Sequence, residues 1–373
     1  MDIVRPASPE ELSACLRKAA EAGQRIRLGG AFSKDGMAGP CVAEGLCIST
    51  TGLSRVLQYE PKDLTIQVQA GMRWADLKAL LASNGQMIPL DPPFGDRATV
   101  GGVAASNSSG PRRRLFGTAR DLVIGMTFAT LEGKLVSSGG MVVKNVAGLD
   151  ISKLMIGSFG TLAAMTSVNF RLTPTPTAWR TFVLRFDDPD SLMAARNTVL
   201  GSVLLPATID ALNPAGSDRV GLRGYCLLLE AGGHPAVLDR YERELANAAV
   251  LRQDDADRLW TAVREFVPRF LAEFPGGAVL RHSTTLSGIA DLLRKQTEPA
   301  LSRAGNGVTW VCIEDAANAR ATKGSVVEWA PEPVKRSMDL WPDAGSGFGV
   351  MKKVKMMFDP KELLNPGRLY GRL

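Results

Sequence analysis

The stretch Thr99-Val100-Gly101-Gly102-Val103-Ala104-Ala105-Ser106-Asn107-Ser108-Ser109-Gly110 decides the fold of this chain. Nearly all of its side chains are small. It follows Pro89-Leu90-Asp91-Pro92-Pro93, a segment that cannot be a central strand because proline lacks a backbone donor. Small side chains allow a flat or charged ligand to lie against the main chain, and successive amides can face a pyrophosphate. The stretch therefore predicts a ligand-binding surface made of backbone.

Two further segments in the first half of the chain combine glycine with polar side chains. Gly29-Gly30 follows a short alternating strand and precedes Ser33-Lys34, so this turn offers free amides, a hydroxyl and an ammonium that suit an anion. The third segment runs from Lys144-Asn145-Val146-Ala147-Gly148 to Gly157-Ser158-Phe159-Gly160-Thr161-Leu162. Each segment alone is better explained as a glycine-rich turn. Three of them in one domain-sized block favour an extended ligand that carries phosphate.

Length, composition and charge limit the class of protein. A chain of 373 residues with 45% hydrophobic and 22% charged residues predicts two globular domains rather than disorder. The net charge of +6 suits an anionic cofactor, substrate or partner. Scattered basic residues and an aromatic content of only 6% argue against nucleic-acid binding. We expect a cytoplasmic protein, because no apolar run reaches the length of a membrane span and the N-terminus lacks a secretory signal.

Cysteine and histidine are too sparse for several common kinds of site. The five cysteines form no C-x-x-C pair, so we expect reduced thiols and no metal or iron–sulfur site. With only His234 and His282, there is little scope for histidine-based acid–base chemistry. The usual dinucleotide signatures are also missing, since no G-x-G-x-x-G follows a strand in the N-terminal half and no G-x-x-x-x-G-K-[ST] occurs.

Patterns along the chain predict an α+β protein with a domain boundary at Thr173-Pro174-Thr175-Pro176-Thr177. A first helix begins after the cap Ser8-Pro9-Glu10-Glu11 and ends at Gly23, and a second begins at Trp74. Before the boundary we also predict a short helix at 150–156 and strands at 46–49, 56–59, 64–68, 122–131, 134–137 and 163–172. After it we predict strands at 181–186 and 225–230, helices at 191–199, 236–249 and 255–267, and a Gly/Pro-rich stretch at 331–349.

Taken together, these segments resemble the FAD-binding domain of the vanillyl-alcohol oxidase / p-cresol methylhydroxylase family, and within it the FAD-binding subunits of bacterial glycolate oxidases. The resemblance covers residues 1–175 and the C-terminal tail, whereas the middle of the chain matches only by position. The ordered combination is specific, although each string alone is not. The strings are Ile88-Pro89-Leu90-Asp91, Thr99-Val100-Gly101-Gly102, Asn107-Ser108-Ser109-Gly110, Lys144-Asn145-Val146-Ala147-Gly148-Leu149-Asp150, Ile156-Gly157-Ser158-Phe159-Gly160-Thr161-Leu162, and Phe358-Asp359-Pro360 followed by Leu364-Asn365-Pro366-Gly367-Arg368.

The resemblance implies a fold and a cofactor. It implies an α+β chain with a two-subdomain, p-cresol methylhydroxylase-type FAD-binding domain over residues 1–175, followed by an α+β cap-like domain over 176–345. The C-terminal segment 346–373 would pack back on the FAD domain. Relatives with covalent flavin usually carry a histidine in the first loop, where this chain has Ala31-Phe32-Ser33, so a noncovalent FAD is implied. Phe159 stands where many relatives carry glutamate.

The same resemblance assigns FAD contacts to individual residues. Gly29-Gly30 and residues 99–107 would hold the pyrophosphate, and Asp91, Asn107 and Gly110 would lie near the flavin or its ribityl chain. Residues between 144 and 162 would surround the adenosine and the isoalloxazine. The predicted cofactor-binding residues are Arg27, Gly29, Gly30, Ser33, Lys34, Asp91, Thr99, Val100, Gly101, Gly102, Ser106, Asn107, Gly110, Lys144, Asn145, Asp150, Lys153, Ser158, Gly160, Thr161 and Leu162.

Three functions stay open at this point. The first is an FAD-binding subunit of a heteromeric glycolate (2-hydroxy-acid) dehydrogenase, which works with a larger FAD-containing subunit and an iron–sulfur subunit and reaches a membrane only through them. The second is a self-sufficient FAD-dependent oxidoreductase that acts on a small 2-hydroxy acid or alcohol. The third is a nucleotide-binding or scaffold protein without redox chemistry. The resemblance favours the first.

Catalytic residues stay unassigned by the sequence. Oxidation of a 2-hydroxy acid requires a cation that holds the carboxylate and a base that takes the hydroxyl proton. The metal-using dehydrogenases of the family supply clustered histidines and acids from the second domain. Here His234 lies in a Gly-Gly-His-Pro turn, which is typical of a surface group, and His282 follows Arg281. Arg281 and His282 are therefore the candidates for a catalytic role.

Overall fold

The structure, a computed structural model, describes residues 2–141 and 150–373, and these residues form two compact units. Unit 1 comprises Met1–Ser109, Thr118–Thr175 and Lys335–Leu373, and unit 2 comprises Gly110–Gly117 and Pro176–Val334. The segment Gly110–Gly117 joins unit 2 because Arg112 donates to both carboxylate oxygens of Glu230, at 2.8 and 3.1 Å. The Arg112 guanidinium also lies 4.2 Å from the centroid of the Trp179 ring.

Strands and helices follow one another along the described chain. The strands are β1 (Ile3–Val4), β2 (Ile26–Gly29), β3 (Leu46–Ser49), β4 (Val56–Glu60), β5 (Thr65–Gln69), β6 (Gln86–Met87), β7 (Val123–Ala129), β8 (Leu135–Gly139), β9 (Ala164–Arg171), β10 (Thr173–Pro174), β11 (Ala178–Phe186), β12 (Thr208–Leu212), β13 (Tyr225–Gly233), β14 (Ala249–Leu251), β15 (Ala278–Ser283), β16 (Ala300–Arg303), β17 (Val308–Ile313) and β18 (Ser325–Trp329). The helices are α1 (Pro9–Glu21), α2 (Trp74–Ala82), α3 (Val100–Ala105), α4 (Arg113–Phe116), α5 (Ala119–Leu122), α6 (Ser152–Met155), α7 (Pro189–Gly201), α8 (Pro214–Arg219), α9 (Pro235–Glu244), α10 (Gln253–Arg264), α11 (Phe266–Glu273), α12 (Ile289–Lys295), α13 (Glu332–Ser337) and α14 (Phe348–Phe358).

Unit 1 contains two main sheets, each with its own hydrophobic core. The parallel sheet has the strand order β1-β3-β2, and α1 packs on it through Leu12 and Leu16. The antiparallel sheet has the order β4-β5-β9-β7-β8, and its core includes α2 and α3. In that core the Trp74 ring meets the Phe170 ring edge-on, with centroids 6.1 Å apart. The end of β2 and the start of α3 are the parts of unit 1 that position the site.

Local sequence signals explain several of these elements. The Ser8 hydroxyl accepts a hydrogen bond from the Glu11 amide at 3.1 Å, so α1 begins at the predicted cap. Its residues Leu12, Leu16 and Ala19 are buried at helical spacing. β7 and β8 pair as the predicted antiparallel hairpin.

Three elements differ from the sequence-based prediction. The predicted helix 236–249 is shorter, because α9 ends at Glu244 and the chain then adds β14 to the edge of the sheet beside β11. The predicted helix 255–267 is divided at Glu265 into α10 and α11. The stretch 331–349, predicted as a loop, contains α13.

Unit 2 is built on one antiparallel sheet with the strand order β14-β11-β13-β12-β16-β17-β15-β18. The long pairing of β11 with β13, from Ala178 opposite Gly233 to Phe186 opposite Tyr225, forms one half of it. Helix α10 is tied to this half by a hydrogen bond of 2.7 Å from the Trp260 Nε1 to the Thr181 hydroxyl. In the part of the chain that the structure describes, no helix is both long enough and apolar enough to cross a membrane.

Candidate cofactor site

An open cavity lies in unit 1, and its empty space, including the mouth, is about 810 Å³. Segments that are far apart in the sequence build its wall. The lining consists of residues 27–35 at the end of β2, Cys41, Thr50, Ala70, Thr99, Gly101, Gly102, Ala105, Ser106, Phe159, Gly160, Ala163, Met165, Asn365 and Arg368. The cavity therefore brings together the first glycine turn, the small-residue stretch and the C-terminal tail.

The loop after β2 lines this cavity with backbone amides. Within the described ranges, the backbone N–H groups of Gly30, Ala31, Phe32 and Ser33 donate to no acceptor. Phe32 has a left-handed backbone, with φ of 54°, and a Cβ on Gly29 would lie 2.5 Å from its ring. Only glycine at position 29 leaves room for this turn. Successive free amides of this kind form a concave site for an anion.

Positive charge surrounds the same loop. Arg27, Lys34 and Arg368 line the cavity, and Asp35 is the acid among the lining residues that the structure describes. Asp35 forms an ion pair with Arg27, whose guanidinium also lies 5.1 Å from the centroid of the Phe32 ring. The lining therefore carries an excess of positive charge, which favours an anionic ligand.

The small-residue stretch contributes a close-packed wall rather than a second set of free amides. It contains α3, whose first amides are used within the protein. The amide of Val100 donates to the Met72 oxygen at 2.9 Å, that of Gly101 to the Ala70 oxygen at 2.7 Å, and that of Gly102 to the Thr99 hydroxyl at 3.2 Å. The expectation that these amides face a pyrophosphate is therefore wrong for residues 100–102.

Glycine has a packing role in this wall. A Cβ on Gly101 would lie 2.9 Å from the Ala70 Cβ, so Gly101 permits contact with the end of β5. A Cβ on Gly30 would lie 2.0 Å from the Thr99 hydroxyl oxygen. The loop after β2 and the start of α3 thus touch through Gly30 and Thr99. Because of this contact, there is no room for a side chain at position 30.

The predicted cofactor-binding residues divide into three groups. Those that line the cavity are Arg27, Gly29, Gly30, Ser33, Lys34, Thr99, Gly101, Gly102, Ser106 and Gly160. Lys144 and Asn145 lie outside the described residues. Those that lie elsewhere are Asp91, Val100, Asn107, Gly110, Asp150, Lys153, Ser158, Thr161 and Leu162. Their contacts with a cofactor stay predictions.

The residues outside the lining have other contacts. Val100 and Leu162 are buried in the larger core. The Lys153 ammonium donates to the Val123 oxygen at 2.6 Å and lies 3.8 Å from the Asp150 carboxylate, and burial lowers its pKa.

Four other predicted residues also lie outside the cavity lining. The Thr161 hydroxyl donates to the Ser158 oxygen at 2.7 Å, and the Ser158 hydroxyl donates to the Met155 oxygen at 2.8 Å. Asn107 has a left-handed φ of 47°, and its side-chain oxygen is buried without a partner among the described residues. Gly110 belongs to unit 2.

Sequence reasoning missed a second set of lining residues. Thr50 and Ala70 reach the cavity because they directly follow β3 and β5, which only the fold brings next to β2 and α3. The lining residues of the C-terminal tail could have been found from the sequence, since the Asn-Pro-Gly-Arg string is part of the family resemblance. The missed residues are Leu28, Ala31, Phe32, Asp35, Cys41, Thr50, Ala70, Ala105, Phe159, Ala163, Met165, Asn365 and Arg368.

The two catalytic candidates lie in unit 2 and point in opposite directions. Arg281 and His282 are consecutive residues of β15, so their side chains emerge on opposite faces of the sheet. The Arg281 Nε lies 2.8 Å from a Glu328 carboxylate oxygen. The His282 Nε2 is buried and has no partner within the described ranges, and burial lowers its pKa. The pair cannot act together on one ligand.

Other arginines of unit 2 are matched by acids in the same way. Arg112 binds Glu230, and Arg303 of β16 contacts Asp210 on the neighbouring strand β12. Burial raises the pKa of Asp210 to about 7, although the contact with Arg303 opposes this shift. Among the residues that the structure describes, no group of three or more His, Cys, Asp or Glu side chains could hold a metal ion.

Comparison with known proteins identifies the kind of chain that carries this cavity. A family model described as an FAD binding domain matches residues 2–139. Glycolate oxidase subunit GlcE of Escherichia coli (strain K12) is 31% identical over 329 residues, which is 85% of either chain. Glycolate oxidase subunit GlcD of Bacillus subtilis (strain 168) is 25% identical over 384 residues, 90% of this chain and 81% of the relative. An alkyldihydroxyacetonephosphate synthase structure superposes with a TM-score of 0.71 at 17% identity, over 98% of this chain and 75% of its own, which shows the shared fold.

These findings define the class: the chain is an FAD-dependent oxidoreductase with a p-cresol methylhydroxylase-type FAD-binding fold. It belongs to the vanillyl-alcohol oxidase / p-cresol methylhydroxylase-type FAD-binding family, among the relatives of the glycolate oxidase subunits. The predicted fold class and cofactor are confirmed.

The residues of the cavity fit FAD. Its diphosphate is an anion, and the loop after β2 offers it four amides without acceptors in the described chain, between Arg27, Lys34 and Arg368. Apolar side chains of Phe32, Phe159 and Met165 line the same cavity and suit a flat aromatic group.

Proposed function

We propose that this chain is the FAD-binding subunit of a heteromeric glycolate (2-hydroxy-acid) dehydrogenase in the cytoplasm and that it holds FAD noncovalently. The observation that carries the proposal is the row of amides at Gly30–Ser33, which have no acceptor among the described residues and lie among three cations, in a chain similar to a glycolate oxidase subunit. The partners in this proposal are a larger FAD-containing subunit and an iron–sulfur subunit.

The residues of unit 1 would bind the cofactor through its charge. The amides of Gly30–Ser33 would donate to the diphosphate, and the cationic lining would favour its negative charge. Gly30 and Thr99 keep the loop and α3 in contact, which excludes water between them. When bound, FAD supplies the two-electron chemistry that side chains lack.

The lining supports a noncovalent cofactor. The first loop reads Ala31-Phe32-Ser33, without histidine, and His234 and His282 both lie in unit 2. The one lining thiol in the described chain, Cys41, donates to the Asp35 backbone oxygen at 3.6 Å. We expect acid precipitation to release all of the FAD into the supernatant, and flavin retained in the pellet would contradict this part of the proposal.

The charges of unit 2 support a subunit rather than a self-sufficient enzyme. A 2-hydroxy acid needs a cation for its carboxylate and a base for its hydroxyl proton. Arg281 and Arg303 each contact a carboxylate of their own sheet, and the His282 imidazole lies on the face opposite to Arg281. A partner chain is then the source of the missing substrate contacts.

Anaerobic reduction of the flavin tests the proposal. The purified chain, loaded with FAD, is mixed with glycolate or D-lactate, alone and after co-expression with the neighbouring subunits. We expect no bleaching of flavin absorbance by the isolated chain and bleaching by glycolate in the complex. Bleaching of the isolated chain by either acid would instead establish a self-sufficient oxidoreductase. A colourless chain that takes up no FAD would refute both.

A further inference from the structure

The C-terminal part of unit 1 binds the carbonyl side of the loop whose amides line the cavity. The Arg368 guanidinium, only 8% exposed, donates at 2.7 Å to the Met37 oxygen and also contacts the carbonyl oxygens of Lys34, Asp35 and Gly39. The Lys335 ammonium, 3% exposed, donates at 3.0 Å to the Asp35 oxygen and at 3.4 Å to the Gly39 oxygen. Two buried cations thus fix the carbonyls of residues 34–39.

The backbones of the loop and the tail also meet directly. The Gly39 amide donates to the Arg368 carbonyl at 2.9 Å, and a Cβ on Gly39 would lie 1.9 Å from the Gly367 oxygen. Ala38, next to this contact, has a left-handed φ of 58°. A non-glycine residue in that conformation costs free energy, which the surrounding contacts must offset.

Asn365 fixes the other end of the loop, where β2 stops. Its side-chain oxygen accepts from the Leu28 amide at 2.8 Å, and its side-chain nitrogen donates to the Leu28 oxygen at 3.0 Å and the Phe159 oxygen at 2.9 Å. Its own amide donates to the Ile26 oxygen at 2.9 Å. The side chain thus replaces a neighbouring strand beside β2 and connects β2 to the opposite wall of the cavity.

We propose that Asn365, Arg368 and Lys335 are positioning residues, which fix the carbonyls and the ends of the loop and thereby hold the amides of Gly30–Ser33 in the arrangement that binds the FAD diphosphate. This inference rests on FAD binding in the cavity. Without these contacts only a fraction of molecules would hold the loop in the binding arrangement, and the apparent Kd would rise by the reciprocal of that fraction.

FAD titration of the apoprotein with matched variants tests the inference. Arg368→Gln removes the charge, Arg368→Lys restores it, and Asn365→Gly keeps the left-handed backbone but removes three side-chain hydrogen bonds. Arg372→Gln is the control, because this exposed tail arginine pairs with Asp339. We expect the Kd for FAD, measured by flavin fluorescence, to rise about tenfold in Arg368→Gln and Asn365→Gly. We expect partial recovery in Arg368→Lys and no change in Arg372→Gln.

A second measurement separates positioning from general destabilisation. Val168→Ala, in the larger core, is expected to lower thermal stability at a residue that is not part of the cavity lining. At an equal loss of melting temperature it should keep the wild-type Kd, and only Arg368→Gln should speed hydrogen exchange over residues 34–39 of the apoprotein. Wild-type affinity in both Arg368→Gln and Asn365→Gly, or unchanged exchange in Arg368→Gln, would overturn the inference. A wild-type chain that binds no FAD would instead overturn the proposed function.

Discussion

The cavity of unit 1 and the sheet of unit 2 treat their polar groups in opposite ways. In the cavity lining that the structure describes, the amides of Gly30–Ser33 have no acceptors and the cations outnumber the acid. In unit 2, by contrast, arginines contact acids of the sheet, in the pairs Arg112–Glu230, Arg281–Glu328 and Arg303–Asp210. The cavity therefore has hydrogen-bond donors left for an anionic ligand, whereas each of these arginines already has an acid partner.

The difference separates polar groups that stabilise the fold from polar groups that can bind a ligand. A buried ion pair contributes little net stability, but removal of one partner leaves a charge without compensation and is costly. The pairs of unit 2 are therefore structural. Unpaired donors in a folded protein are rare unless water or a ligand completes them. We therefore expect the loop after β2 to be sensitive to a bound ligand.

The largest expected effect comes from a change that destroys the cavity side of this comparison. Gly30→Val adds a branched side chain where even a Cβ would lie 2.0 Å from the Thr99 hydroxyl oxygen. Because the loop must move away from α3, we expect the affinity for FAD to fall by about a hundredfold. The measurement is the ratio of flavin to protein absorbance after gel filtration.

A matched glycine controls for the added side chain. Gly347→Ala places a Cβ with nothing within 4 Å, so this variant should keep the wild-type flavin content. A Gly30→Val protein that is as yellow as the wild type would show that the contact between the loop and α3 is irrelevant to the cofactor.

The sequence predicted those features of the fold that depend on nearby residues. The start of α1 follows from the Ser8 cap and the hairpin of β7 and β8 from its turn, and both need only a few consecutive positions. The convergence of the first glycine turn, the small-residue stretch and Gly160 on one cavity was also expected.

The sequence could not predict which backbone amides are left without an acceptor in the protein. Gly29-Gly30 and Gly101-Gly102 look alike in the sequence, yet within the described ranges only the first is followed by N–H groups that have no acceptor. In the second run the Gly101 amide donates to the backbone oxygen of Ala70, the residue just beyond β5, and the Gly102 amide donates to the Thr99 hydroxyl. Whether a donor is free therefore depends on which strand end the fold places beside it, and glycine content carries no information on that.

An intermediate effect is expected on the sheet of unit 2. Glu230→Gln removes the charge that compensates Arg112, in a side chain that is only 6% exposed. We expect the free energy of unfolding in urea to fall by about 3 kcal/mol, the typical cost of breaking a buried pair. Under native conditions FAD affinity should stay unchanged, because the cavity lies in unit 1.

A second acid of unit 2 supplies the control. Glu273 pairs with Arg219 at 2.8 Å but is 59% exposed, so Glu273→Gln should cost less than about 1 kcal/mol. If Glu230→Gln lost FAD while fully folded, the division of roles between the cavity and the sheet would be incorrect.

The smallest expected effect concerns His282, a polar group of unit 2 whose Nε2 has no hydrogen-bond partner in the part of the chain that the structure describes. Its neighbours across the strands are Thr309 and Ser325, which are neutral. Burial lowers its pKa below the value of an exposed histidine, about 6.5. As the pH falls through that value, the unfolded chain binds a proton that the folded chain does not, so acid reduces the stability of the wild type.

His282→Gln removes this acid-sensitive contribution. Between about pH 7.5 and pH 5 the wild type should lose more free energy of unfolding than His282→Gln, as measured by urea titration at each pH. Equal acid sensitivity of the wild type and His282→Gln would mean that the folded sheet accepts a positive charge at this position. Unit 2, like the cavity, would then be able to accommodate an additional charge. The contrast between the two regions would be weaker than their ion pairs indicate.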